Sequence, residues 1–262
     1  MVENSTKIET TEGIDEASND LNIKVLIIYG KLMLESNYGV SEVRSNLIQM
    51  MLFMGINSFS FYITPTNLML INQQTNDVKM LSIQKYSYNF EKMSHIKTKV
   101  DAFLTKKITT DELYKEFKQI DKHDYAFPRH IQIFVAGIIC GSMYILINKL
   151  SMAAFLAFLV GVVGYFCYII LEKYINIKIF SIFLYSTIVS TLAVLLVKNN
   201  ITQDSFSLTL SCMMPLLPGA TLVNAIRDSI DGDYLSGISQ ASEAINTALM
   251  LGLPVAFILT NF

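Results

Sequence analysis

Asn224, Arg227 and Asp228 stand at i, i+3 and i+4, so on a helix an amide, a guanidinium and a carboxylate share one face. Such a face can bind a charged ligand or hold itself together through its own ion pair. Asp231, Gly232, Asp233, Ser236 and Gly237 follow, and Glu243 comes next, before Ala244-Ile245-Asn246-Thr247-Ala248. Just upstream, Pro215 and Pro218 each remove a backbone donor, and Gly219 adds freedom beside them. Two readings of the prolines stand side by side. One is a simple kink; the other is a discontinuous helix whose exposed carbonyls and helix end meet a substrate. The charges have two readings as well, a solvated interfacial loop or groups that face a cavity, pair or relay protons. Glu243 has no basic residue within ten positions in sequence. That favours it as a titrating carboxylate, with Asp228 second, and the alternative is a charge capping a helix N-terminus.

These residues lie between long apolar stretches. The chain has 262 residues, 52% hydrophobic and 16% charged, with mean hydropathy +0.42. Soluble domains are usually about 25% charged. Residues 1–130 hold 31 of the 42 Asp, Glu, Lys and Arg residues, and residues 131–226 hold 6. A polar half therefore precedes a membrane half. Five spans are expected over 131–147, 150–171, 177–197, 206–226 and 244–260, each near the length that crosses a bilayer. Lys115, Lys118, Lys122, Arg129, Lys173, Lys178 and Arg227 flank one side of these spans, and Lys149 and Lys198 the other. The positive-inside rule then places the polar half in the cytoplasm, at the cell membrane, with Phe262 outside.

The polar half reads as an α+β domain, so the expected fold class is an α+β cytosolic domain followed by an all-α membrane domain of five transmembrane helices. Residues 1–23 are expected as a disordered acidic tail, 24–128 as the cytosolic domain and 129–262 as the membrane domain. Apolar spacing predicts helices over 24–36 and 41–54, the second capped by Ser41 and ended by Gly55. Three short strands are expected over 59–63, 68–71 and 78–83, then helices over 90–104 and 109–120, the last opened by a capping box of Thr109 and Glu112.

Catalysis has little to work with. His95 and His123 are isolated, no HExxH or GxSxG occurs, and Cys140, Cys167 and Cys212 lack metal spacing. The expectation is no enzyme, no cofactor, no metal and, at net charge −2, no nucleic acid partner. Two readings remain: half of a secondary exporter, or a membrane-anchored sensor or assembly protein whose polar half does the work.

The stretch Pro218-Gly219-Ala220-Thr221-Leu222-Val223-Asn224-Ala225-Ile226-Arg227-Asp228, with Gly232-Asp233-Tyr234-Leu235-Ser236-Gly237 and Glu243-Ala244, resembles the N-terminal domain of the bacterial threonine/serine exporter family. Gly30-Lys31-Leu32-Met33-Leu34-Glu35-Ser36 and Ile63-Thr64-Pro65-Thr66 are similar too, so the resemblance covers about residues 24–262. It implies a proton-coupled exporter of threonine or serine. Split-subunit relatives similar to the succinate-exporter subunit imply dicarboxylates instead. It also implies a second five-span subunit, or self-assembly, as partner in the lipid bilayer. Gly137, Gly141, Gly161 and Gly164 could pack that partner or serve packing within the chain. The implied substrate and proton pathway is Pro215, Pro218, Gly219, Asn224, Arg227, Asp228, Asp233, Ser236 and Glu243. Three positions depart from the family pattern: Asn37 stands where Gly is common, Glu42-Val43-Arg44 exchanges the charges of Arg-Val-Glu, and Gln240 replaces an Arg.

Overall fold

The computed structural model describes residues 20–83, 87–123, 125–175, 177–202 and 204–261. Of the tail expected over residues 1–23, residues 1–19 lie outside them, and 20–23 are helical instead, the first turn of a helix. The described chain forms two compact units. One gathers the residues up to Ala126 with Asn224–Ser239; the other gathers Phe127–Val223 with Gln240–Phe262. A division at residue 128 therefore misses one exchange, because a segment from the apolar half folds with the polar half.

In the first unit, α1 (20–35) buries Val25, Leu26, Tyr29, Leu32 and Met33 on one stripe. It begins four residues earlier than its apolar spacing suggests. A Schellman closure ends it, with Tyr38 N donating to Met33 O and Asn37 N to Leu34 O. Asn37 takes φ 57 there, the left-handed conformation that Gly or Asn supplies most easily. Asn at this position therefore keeps the backbone that a glycine would give. α2 (Val40–Phe53) buries Val43, Leu47, Met50 and Met51, and a second Schellman closure at Gly55, φ 72, stops it.

Three antiparallel strands follow as a meander, β1 (Phe59–Thr64), β2 (Asn67–Asn72) and β3 (Val78–Ser82), in the order β1-β2-β3. Thr64 pairs with Asn67, so Pro65-Thr66 is the two-residue turn. Ile63, Leu68 and Leu70 point into the core. A Cβ on Gly30 would stand 2.6 Å from Leu68 Cδ2, which explains the glycine in α1. α3 (Phe90–Leu104) starts from an Asn89 cap, and α4 (Thr110–Lys122) from the expected capping box of Thr109 and Glu112. Those bonds hold the Glu112 carboxyl below its usual pKa, the Thr109 backbone contributing most.

The second unit is helical. α5 (Arg129–Asn148), α6 (Met152–Ile175) and α7 (Lys178–Lys198) are each long and apolar enough to cross a bilayer. α8 (Ser205–Met213) begins at an Asp204 cap and runs into a 3₁₀ turn at Met214–Leu216. α9 (Gly219–Ile230) follows with a bend of 59°, and from Asn224 on its residues count with the first unit. α10 (Tyr234–Asn261) closes the chain. It begins ten residues before the expected span.

The four membrane-half glycines are used inside this unit. A Cβ on Gly137 would meet Val162 at 2.5 Å, on Gly161 Cys140 Sγ at 2.5 Å, and on Gly164 Val189 at 2.6 Å; on Gly141 it would stand 3.2 Å from Ala154 O. Close helix approach within the chain accounts for all four. They supply no separate sign of a partner.

Candidate functional site

The proline break is satisfied from α7. Pro215 cannot donate to the Ser211 carbonyl, and the helix gives way to a 3₁₀ turn. The next carbonyl, Cys212 O, accepts the Tyr185 hydroxyl. In a bilayer a freed backbone group needs such an internal partner. The neighbouring Ser186 Oγ donates at 2.5 Å to Leu251 O in α10, beside the carbonyl that Pro254 leaves without its helical donor. Two consecutive residues of α7 thus serve both proline-disturbed helices. Thr209 Oγ1 in α8 is buried and has no hydrogen-bond partner among the described residues. Pro215 also lines a cavity of about 310 Å³ with Ile131, Gln132 and Tyr165. Gly219 opens α9, and an added Cβ there meets nothing within 4 Å. Its role is not forced by crowding.

Five of the sequence-derived site residues gather in the first unit, against the start of α2. Asn224 Nδ2 donates to Asn37 O at 3.1 Å. Asp228 is fully buried and accepts from Ser41 N at 3.2 Å and Val40 N at 3.4 Å. It is the carboxylate at the N-terminus of α2, where free amides and the helix dipole favour an anion. The expected Ser41 cap is absent: α2 has Gly39 at its N-cap and no side-chain cap of its own. The anion comes from a residue 187 positions away.

Arg227 pairs with Glu42, and Arg44 with Asp233 at 2.8 Å. Asp233 also caps α10, accepting from Ser236 N at 3.3 Å. Ser236 is fully buried, and its Oγ, like Ser41 Oγ and Arg44 Nε, has no partner among the described residues. Three unmatched polar atoms around two ion pairs make this a place for ordered water or a polar group. Gly237 fits because a Cβ there would stand 3.0 Å from Ala225 O. Asp231 is exposed in the turn, and Gly232 takes φ 86. An Arg227 that binds a substrate carboxylate must first leave Glu42.

Glu243 differs from expectation. It is the tenth residue of α10, not the start of a helix, so it is no N-terminal cap. Nor is it remote from a base, because Lys178 Nζ lies 3.4 Å from its Oε1. Sequence spacing could not reveal that neighbour 65 residues away. It also underrated Glu42 and Arg44, whose exchanged order suggested no role. The one signal available was two opposite charges flanking the buried Val43.

The sequence model of the threonine/serine exporter family, ThrE, matches residues 24–261. The chain belongs to this family. Threonine/serine exporters are membrane transporters rather than enzymes, and four helices long and apolar enough to span, five if the bent pair is one span, agree with a multi-pass member. No curated protein and no solved structure matches the chain. Within the exporter family signature, Asn224, Arg227, Asp228, Asp233 and Ser236 all meet residues 37–44 or one another, while Pro215 and Pro218 bound the break.

Proposed function

We propose that this chain is a subunit of a secondary-active, proton-coupled exporter carrying small amino acids such as threonine and serine out across the bacterial cell membrane, its α+β part in the cytoplasm. The observation that carries this reading is the break between α8 and α9, a 59° bend beside a cavity in an apolar helix pair. Discontinuous helices of this kind bind substrates near the midplane of many transporters. A featureless anchor has no use for one. The signature holds one arginine, and Glu42 already occupies it, which favours a substrate with a single carboxylate over a dicarboxylate. Asn246 is exposed on a spanning helix, and such an amide favours a neighbour in the membrane, either a second subunit or a second copy.

Glu243 is the proton carrier of this proposal. The support for it is its place on a spanning helix and its basic neighbour there, Lys178, whose Nζ lies 3.4 Å from Glu243 Oε1. Cells expressing the chain are loaded with threonine, serine or succinate and efflux is followed against a gradient. Threonine or serine leaves in the wild type. Glu243→Gln inserts normally, loses uphill export and keeps exchange. Uphill export by that variant with an unchanged pH profile overturns the carrier assignment. Efflux of succinate alone overturns the amino-acid reading.

A further inference from the structure

The α+β unit contains an open cavity of about 390 Å³ that the transport reading does not use. It runs between α2 and α3 over a floor formed by Tyr29 of α1. Its polar lining is unusual for a gap between helices: Tyr29, Tyr38, Glu42, Asn46, Lys97 and Asp101 all reach it. We propose that this cavity is a binding site for a free amino acid, and that Glu42 reports its occupancy to α9.

The lining sets the ligand class. Lys97 supplies one cation and Glu42 and Asp101 two carboxylates, so a small molecule carrying both an ammonium and a carboxylate finds a counter-charge for each. Lys97 Nζ lies over the Tyr38 ring, 4.5 Å from its centroid, which sets the cation at the exposed edge of the cavity. The buried Tyr29 hydroxyl accepts from Asn46 Nδ2 at 2.8 Å, giving the floor an ordered donor and acceptor pair. Burial, with Glu42 close by, raises the pKa of the Tyr38 phenol, so it enters the site as a neutral hydrogen-bonding group. The volume accepts an amino acid with a short side chain and bound water, and it is too open for an apolar ligand to be well covered.

Glu42 makes the site more than a pocket. The same carboxylate that faces the cavity is the partner of Arg227 in α9. A ligand ammonium drawn to Glu42 competes with that guanidinium. Binding then weakens one of the contacts that hold the family signature against α2, without touching the capping of α2 by Asp228. The cavity lies wholly in the first unit, so the proposal does not depend on what the spans carry.

The test is hydrogen–deuterium exchange on the full chain in detergent with millimolar L-threonine or L-serine, and with ethanolamine and acetate as single-charge controls. The expected result is slower exchange over 42–49 and 97–104 with an amino acid, faster exchange over 224–230, and neither with the controls. Lys97→Gln and Asp101→Asn, both at exposed positions, fold normally and each weaken the protection about tenfold, one counter-charge lost. The proposal is overturned by no protection of these segments by either amino acid, by full protection by acetate or ethanolamine alone, or by protection unchanged in both variants. Protection confined to the membrane spans also overturns it, while leaving the transport reading intact.

Discussion

Asp228 shows how much one carboxylate can do at a helix end. A buried charge needs partners, and the start of α2 offers two backbone donors and the positive end of a dipole. Replacing Asp228 by Ala removes the acceptor and leaves those amides buried, an effect of about 1–3 kcal/mol. Asp228→Asn keeps one oxygen and loses less. Thermal unfolding of the purified variants should rank them wild type, Asn, Ala; equal midpoints for all three would show that the contact contributes nothing. The chemistry of this residue was legible in the sequence, since a carboxylate beside an arginine in an apolar setting must be paired. Its partner was not. Arg227 is adjacent in the chain and drew the expectation, yet its guanidinium pairs with Glu42. Residue spacing reports neighbours on one helix and is blind to a segment nearly two hundred positions away.

Elements were legible where a period or a cap was strong. The helix over 90–104, the capping box of α4 and the three-strand meander follow from apolar spacing and turn chemistry, and they are found within a residue or two of where those place them. α10 was harder because its first ten residues, Tyr234 to Glu243, include three serines, a glycine and a glutamine, which lower hydropathy without stopping a helix. The break after α8 was legible from Pro215 and Pro218, but the means of stabilising it was not. Tyr185 sits in an apolar helix and reads as core. Tyr185→Phe keeps the ring packing and leaves Cys212 O only the long, weak contact from Cys140 Sγ at 3.9 Å, so the expected loss is about 1–3 kcal/mol. In a Pro215→Ala background the turn can recover a helical donor, and the same substitution should then have a smaller effect. A double-mutant cycle on thermal stability measures this, and strict additivity would refute the link.

At the level of the molecule, chain order and packing together constrain topology. Asn224 to Asp233 contacts residues 37–44, so both segments belong on one side of the membrane. Three apolar helices, α5, α6 and α7, separate them in sequence. Three crossings would leave the two segments on opposite faces; a fourth brings them back. This parity favours α8 and α9 as one broken span over a re-entrant loop. An impermeant maleimide added to intact cells should therefore label Ser151→Cys and Asn200→Cys but not Asp231→Cys. Labelling of Asp231→Cys alone from outside would reverse the assignment. Parity says nothing of which side is the cytoplasm; that expectation rests on the positive-inside count alone, and the labelling tests it.

The paired hydroxyls of α7 carry a consequence for how many states the bundle has. Consecutive positions on a helix lie about 100° apart, so Tyr185 and Ser186 hold α8 and α10 on adjoining flanks of one rod. A turn of α7 large enough to release one carbonyl carries the other hydroxyl away as well. Two contacts that could each be made or broken independently would give four combinations. Fastened to one rod, they have two, and a single equilibrium constant describes both.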